Sequence, residues 1–107
     1  MEPARQSYKR TLSGFLYDGV EVAEQKTLGM ILWNPEKLEQ VRTKLSPNDF
    51  RYEKHRLIFR AMLDMSTQNI PIDVSSLWEF LRERDELELA GGSSYITYIT
   101  LVANGYT

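Results

Sequence analysis

The feature that most constrains this chain is a series of apolar residues at helical spacing, interrupted by proline and glycine. Side chains three, four and seven positions apart share one face of an α-helix, so each such stretch predicts an amphipathic helix. Asn-Pro at 34–35, Ser-Pro at 46–47, Pro71 and Gly-Gly at 91–92 separate the stretches. Proline disfavours helix at the residue before it and suits the first position of the next helix. The chain therefore predicts short helices joined by tight turns.

The apolar spacing predicts where these helices lie. We expect a first helix over residues 22–33, a second over 35–44 capped by Asn34, and then a single turn anchored by Phe50. Residues 52–67 are apolar around much of the helix, which is typical of the centre of a core. A further helix is expected to follow, capped by Asp73.

The last segment, residues 95–103, is ambiguous by composition. Its β-branched and aromatic residues favour a strand. Apolar and polar residues do not alternate, however, and Tyr95, Tyr98, Ile99 and Val102 fit one face of a helix that Ser93 or Ser94 could cap. A single strand would also have no partner. We therefore predict an all-α fold, a single globular bundle of five to six helices around one core.

Length and composition support one domain in a reducing compartment. A chain of 107 residues with 42% hydrophobic residues can bury one core. Residues 1–20 show no sustained period, so we interpret them as a flexible N-terminal arm and residues 21–107 as the globular domain. The absence of cysteine and of an apolar membrane-length run or signal peptide favours a cytoplasmic protein without membrane contact.

The sequence contains no arrangement of residues that is typical of a catalytic site. The chain has no phosphate-binding GxxxxGK[ST] motif, and acidic pairs such as Asp85-Glu86 lie in a charged, solvated stretch. His55 is the single histidine, and we interpret it as a partly buried residue whose ring bonds a neighbouring group. We therefore predict no catalytic, cofactor-binding or metal-ligating residues and no enzyme activity in these residues.

Charge and aromatic residues indicate how the domain meets other molecules. The formal net charge of −2, with acidic and basic residues interspersed, argues against tight DNA binding by this chain alone. Trp33 and Trp78 lie on apolar helices, so core packing is favoured for both over base stacking. Whichever of Tyr95, Tyr98 and Trp33 is exposed would mark a protein interface.

Ordered blocks of sequence resemble the N-terminal domain of DnaB-type replicative helicases. Ala-Glu-Gln at 23–25 with the Leu-Gly and Ile-Leu pairs at 28–32 is similar to that family's opening helix. Residues 45–50 (LSPNDF) resemble its first turn, and residues 55–62 (HRLIFRAM) its long helix. Pro-Ile-Asp at 71–73 and the Leu-Glu, Gly-Gly and Tyr-Ile pairs of 87–96 continue the match. The resemblance implies that the last segment is helical.

Three residues depart from the family pattern. Arg51 follows the Phe of the first turn, where a Tyr is usual. Asn69 and Asp85 stand where Gly is common, and these two residue types tolerate turn conformations best. The departures indicate a divergent member and leave the predicted fold intact.

The resemblance implies a function in DNA replication. The domain would form the collar of a hexameric replicative helicase, pairing subunits for ring assembly and docking primase or a helicase loader in the primosome. It would need no cofactor itself, since ATP and Mg²⁺ belong to the family's ATPase domain, and it would meet DNA only through the full-length ring. Alternatives are the helicase-binding C-terminal domain of a primase and a small helical DNA-binding domain.

Two helix faces look wider than one core needs, and we hypothesise that they form the protein interface. The predicted interface residues are Glu24, Leu28, Ile31, Leu32, Tyr95, Tyr98, Ile99 and Val102.

Overall fold

A computed structural model describes residues 19–105, which form five α-helices and two short 3-10 turns. The helices are α1 (Gly19–Trp33), α2 (Leu38–Arg42), α3 (Glu53–Thr67), α4 (Val74–Glu83) and α5 (Gly92–Ala103). The 3-10 turns, Pro35–Lys37 and Pro47–Asp49, lie on either side of α2. The predicted all-α fold is confirmed, and the ambiguous last segment is a helix. None of the described helices is long and apolar enough to cross a membrane.

The first helix begins two residues before the predicted end of the N-terminal arm. Gly19 and Val20 already belong to α1, so the expected arm of residues 1–20 is corrected at its end. The remainder of that arm, residues 1–18, lies outside the described residues.

Two predicted helix starts are corrected and two are confirmed. Pro35 opens a 3-10 turn without a side-chain cap from Asn34, which splits the predicted 35–44 helix in two. The α5 helix begins after Gly91, whose left-handed backbone turns the chain, so neither Ser93 nor Ser94 is its cap. Asp73 does cap α4, because its Oδ1 accepts the Ser76 N–H at 2.8 Å. The predicted start of a short turn at Ser46-Pro47 is also confirmed, because Pro47 opens the 3-10 turn and the Ser46 N–H donates to Asp49 Oδ2 at 2.8 Å.

Helices α3 and α4 each end in a turn of the same type, with one residue in the left-handed conformation. Asn69 has φ 60°, and the N–H of Ile70 donates back to the Met65 carbonyl at 2.9 Å. After α4, Asp85 has φ 59° and the Glu86 N–H reaches the Leu81 carbonyl at 2.8 Å. This hydrogen-bond pattern normally has glycine at the left-handed position, and Asn and Asp are the residues that replace it most easily. The turn substitutions noted in the sequence are thus accommodated.

The core forms around α3, whose apolar side is buried along its length, as its sequence predicts. The helices α1 and α4 pack against it, whereas α5 packs mainly on α1 and also on α4. Helix α5 reaches α3 through Tyr95, whose hydroxyl contacts His55. The closest approach is between α1 and α5, where Gly29 faces the Ile99 backbone and the side chain of Ala103. A glycine at this point lets the two helix backbones come together without an intervening side chain.

Candidate functional site

A buried hydrogen-bonded chain of polar groups joins α1, α3 and α5. His55, on the first turn of α3, is completely buried. Its Nδ1 lies 2.7 Å from Glu24 Oε1, and its Nε2 lies 2.5 Å from the Tyr95 hydroxyl. Gln25 Nε2 donates to the same hydroxyl at 3.0 Å. The prediction that His55 is buried and bonded to neighbouring groups is confirmed.

With a neutral His55, one assignment of protons is consistent with all of these contacts. In this assignment the Tyr95 oxygen accepts from Gln25, and its O–H donates to Nε2 of His55, which burial favours in the neutral form. Nδ1–H then donates to the Glu24 carboxylate, whose other oxygen accepts the Arg51 backbone N–H at 2.6 Å. Glu24 therefore fastens both α3 and the segment before it to α1.

The charges around the cluster come from α1 and α3. Lys54 Nζ lies 3.0 Å from Glu21 Oε2 and 4.2 Å from the centre of the Tyr95 ring. Burial lowers the pKa of His55, and the hydrogen bond to Glu24 only partly opposes that effect. Burial also raises the pKa of the Tyr95 hydroxyl. For Lys54, burial acts to lower the pKa, but the pairing with Glu21 and the contact with Tyr95 outweigh it, so the pKa is raised. The imidazole and the phenol are thus held neutral between charged neighbours.

This cluster has the order carboxylate, imidazole, hydroxyl that hydrolases use to activate a nucleophile. Here the hydroxyl belongs to a phenol that is already bonded by Gln25, and the imidazole is closed off from solvent. Among residues 19–105, no group of three or more His, Asp or Glu side chains is arranged to hold a metal ion. The geometry is that of a structural clamp on three helices.

The structure places most of the predicted interface residues inside the molecule. Five of the eight are buried between α1, α5 and the rest of the core: Leu28, Ile31, Leu32, Ile99 and Val102. Their predicted location at the surface is corrected, because α1 and α5 bury their apolar faces against each other, while α1 also packs on α3 and α5 on α4. Glu24 and Tyr95 belong to the buried polar cluster. Of the predicted set, Tyr98 is largely exposed, at 45%.

Trp33 is the clearest surface residue that the sequence assigned to the core. It is 56% exposed, although its indole N–H donates to the Thr100 carbonyl at 2.9 Å. Its core assignment is therefore wrong, whereas Trp78 does pack against the core. The sequence predicted that an exposed aromatic residue among Trp33, Tyr95 and Tyr98 would mark a protein interface. Trp33 and Tyr98 are therefore the candidate interface positions. Leu101, exposed on α5, was missed because its neighbours in the sequence are all apolar or hydroxylated.

These observations define a small all-α domain. Its buried polar side chains form hydrogen bonds with one another, and its surface carries exposed aromatic residues. Residues 20–104 match the family described as "DnaB-like helicase N terminal domain". The chain belongs to this family.

Similar proteins from other bacteria are replicative DNA helicases. The chain is 38% identical over 78 residues to the replicative DNA helicase DnaB of Pasteurella multocida, covering 73% of this chain and 17% of that protein. It is 38% identical over 77 residues to the replicative DNA helicase DnaC of Bacillus subtilis, covering 72% and 17%. It thus spans less than a fifth of the length of these relatives.

A solved structure confirms the architecture. The crystal structure of the N-terminal domain of DnaB helicase from Mycobacterium tuberculosis superposes with a TM-score of 0.73 at 27% identity. The superposition covers 79% of this chain and 63% of that one.

Proposed function

We propose that this chain acts as the N-terminal collar domain of a hexameric replicative DNA helicase. In this role it pairs with the same domain of neighbouring subunits during ring assembly and provides a docking site for primase or a helicase loader. The observation that carries the proposal is the family match over residues 20–104. The chemistry, ATP and Mg²⁺ would belong to the ATPase domain of the whole helicase, and this domain would contribute protein contacts.

The side-chain chemistry of the described residues is consistent with a docking role. Their one buried polar cluster has its hydrogen bonds satisfied internally, while aromatic and aliphatic side chains are exposed at Trp33, Tyr98 and Leu101. Exposed aromatic residues are enriched where proteins bind one another. A primase domain was the alternative closest in kind, and the family match favours the helicase.

The function is tested by measuring both kinds of contact with the whole chain. Sedimentation equilibrium from about 5 to 500 μM covers the range in which weak pairing is detected. In parallel, the purified helicase-binding region of a bacterial primase is immobilised and the chain is passed over it at the same concentrations. We expect concentration-dependent pairing, primase binding, or both.

The control is the same primase surface exposed to an unrelated acidic helical protein of similar size. A chain that stays monomeric throughout and binds primase no better than this control would contradict the proposal.

A further inference from the structure

The net charge of −2 is unevenly distributed along the chain. Residues 37–60, which run from the end of the first 3-10 turn to the middle of α3, contain seven Lys and Arg against three Asp and Glu. Residues 61–90, which run from there through α4 to the turn before α5, contain two Arg against seven Asp and Glu. The small total charge therefore conceals a basic stretch and an acidic stretch, and such local charge selects between binding partners.

Three arginines of the basic stretch lie together at the start of α3. The Arg56 guanidinium donates through Nη1 to the carbonyls of Phe50 and Arg51, each at 2.8 Å, so it lies against the segment that carries Arg51. Arg60 follows one helical turn later on the same face of α3, and helical side chains lean toward the turn before them. The three arginines thus share one small area of the surface, here called the arginine site.

Hydrogen bonds to the main chain hold this site in place. The Arg51 N–H donates to Glu24 Oε2 at 2.6 Å and its carbonyl accepts from Arg56, so the Arg51 backbone is tied to α1 and to α3. Within residues 19–105, the hydrogen bonds of Arg56 use only Nη1. The edge formed by Nε and Nη2 remains available, and a guanidinium edge of this kind binds a carboxylate through two parallel hydrogen bonds. Because the groups are already placed, binding loses less conformational entropy.

The positive charge of the arginine site is not neutralised within the described part of the chain. Arg51 and Arg60 are exposed, and neither side chain forms a hydrogen bond or an ion pair with residues 19–105. Glu53 is the only acidic residue between positions 50 and 63, and it pairs with none of the three arginines. Neighbouring like charges repel one another, and a bound anion removes that repulsion. Arg51 also replaces the Tyr that is usual in the family, so one of these charges is a departure from the family pattern.

We propose that the arginine site binds an acidic segment of a partner protein, whose carboxylates lie on Arg51, Arg56 and Arg60. The planar guanidinium matches the geometry of a carboxylate, which the ammonium group of lysine does not. Such docking rests on the proposed function and adds to it the chemistry of the partner.

The surroundings of the site favour a short acidic peptide over nucleic acid. Affinity for nucleic acid comes from contacts with many successive phosphates, whereas this site offers three arginines and is followed along the chain by the acidic stretch. Single-stranded nucleic acid also needs exposed aromatic rings on which its bases stack. The aromatic rings of residues 37–63 are Phe50, Tyr52 and Phe59, and none of them is exposed.

Fluorescence anisotropy with a labelled acidic peptide tests the proposal on the whole chain. The probe is labelled hexaglutamate, and hexaglutamine is its neutral control. Protein is titrated from about 1 to 500 μM at about 0.05 M NaCl, which covers weak binding. We expect hexaglutamate to bind and hexaglutamine not to bind. Raising NaCl to about 0.2 M should increase the dissociation constant at least about threefold, because salt screens exposed charges.

Substitutions at exposed positions identify the site. Arg51→Tyr restores the residue usual in the family and leaves the main-chain hydrogen bonds of this position in place, and Arg60→Ala removes a charge from the outer face of α3. Each should raise the dissociation constant for hexaglutamate at least about threefold. Glu53→Gln removes the neighbouring carboxylate and should lower the dissociation constant about twofold.

The matched control is Lys37→Ala. It removes the same charge at the other end of α3, where the first 3-10 turn lies beside the last turn of that helix. It should change the dissociation constant less than about 1.5-fold. Far-ultraviolet circular dichroism checks that each variant is folded, and the gain in Glu53→Gln provides a result that unfolding cannot imitate.

Each outcome decides the proposal. Weaker binding in Arg51→Tyr and Arg60→Ala, with binding retained in Lys37→Ala, supports it. Equal losses in all three variants, or no binding of hexaglutamate, overturn it. Tighter binding of a labelled oligothymidylate overturns it in favour of nucleic acid, and self-association at the same salt that Arg51→Tyr abolishes overturns it in favour of a second copy. Primase binding tests the proposed function separately in every case.

Discussion

At the scale of single residues, the buried imidazole of His55 is expected to make the stability of the fold depend on pH. Burial lowers its pKa from the ordinary value of 6.5, so the unfolded chain takes up the proton at a higher pH than the folded one. Stability is therefore expected to fall as the pH is lowered through about 6.5 toward the pKa of the folded state. Urea unfolding followed at pH 7.5, 6.5 and 5.5 measures this slope.

The control for this pH dependence is the variant His55→Gln. Because the chain has one histidine, the variant should be less stable at pH 7.5 yet lose less stability on going to pH 5.5. An equal slope in both proteins would show that other groups cause the pH dependence.

The hydroxyl of Tyr95 is expected to contribute more to stability than that of its neighbour Tyr98. Tyr95→Phe leaves the buried His55 Nε2 and the Gln25 amide without their partner. We expect it to cost about 1–3 kcal/mol in the free energy of unfolding. Tyr98→Phe, on the exposed face of the same helix, should cost less than about 0.5 kcal/mol. Equal losses from chemical denaturation of the two variants would contradict the assigned hydrogen bonds.

The sequence predicts the role of His55 but not its partners. A lone histidine on an apolar helix is most simply a buried, hydrogen-bonded residue, and that holds. Glu24 and Tyr95, however, are 31 and 40 residues away along the chain, and only the packing of α1 and α5 on α3 brings them to the ring. No local spacing encodes such a contact.

At the scale of helices, the crossing of α1 and α5 depends on Gly29. An added Cβ there would collide with the Ile99 carbonyl oxygen and lie 2.6 Å from Ala103 Cβ. The two helices must then separate, so Gly29→Ala should destabilise the fold by about 1–3 kcal/mol, although alanine is the better helix former.

The matched control for this crossing is Gly19→Ala at the start of the same helix, where a Cβ would meet nothing within 4 Å. It should leave the midpoint of thermal unfolding unchanged or raise it. A loss at both positions would trace the effect to the helix itself instead of the crossing.

The turn after α3 gives a second test at this scale. Asn69 has φ 60°, a conformation that is strained for a β-branched side chain. Asn69→Val should therefore cost about 1–2 kcal/mol in unfolding free energy, whereas Asn69→Gly should be close to neutral. If urea denaturation finds the two variants alike, the turn does not keep its left-handed form in solution.

Helix positions could be predicted because the apolar spacing and the proline and glycine breaks are local signals. Which face of a helix is buried was less predictable. The apolar faces of α1 and α5 were expected to exceed the needs of one core, and Leu28 and Ile99 were assigned to an interface for that reason. The two helices instead bury these side chains against each other, and the close approach at Gly29 that makes this possible has no signature in a single sequence.

At the scale of the whole molecule, the distribution of charge predicts weak contact with nucleic acid. The net charge is −2, and several basic side chains are paired with acidic ones, including Arg84 with Asp64 at 2.7 Å and Lys54 with Glu21 at 3.0 Å. Phosphate neutralisation supplies most of the affinity in DNA binding, and these groups are engaged elsewhere. We expect labelled single-stranded DNA to show no anisotropy change up to about 50 μM protein at 0.15 M salt. Salt-dependent binding at low micromolar concentration would instead favour the DNA-binding alternative.

The clamp at His55 also equips the molecule with an internal reporter. A chain with one histidine gives one set of imidazole ring signals in a proton magnetic resonance spectrum. Those protons sit where α1, α3 and α5 meet, shielded from solvent and close to the Tyr52 and Tyr95 rings. A partner that attaches to the outside without disturbing the helices should leave the signals in place, whereas one that shifts any of the three helices should displace them. This one set of ring signals therefore distinguishes a partner that leaves the three helices in place from one that shifts them.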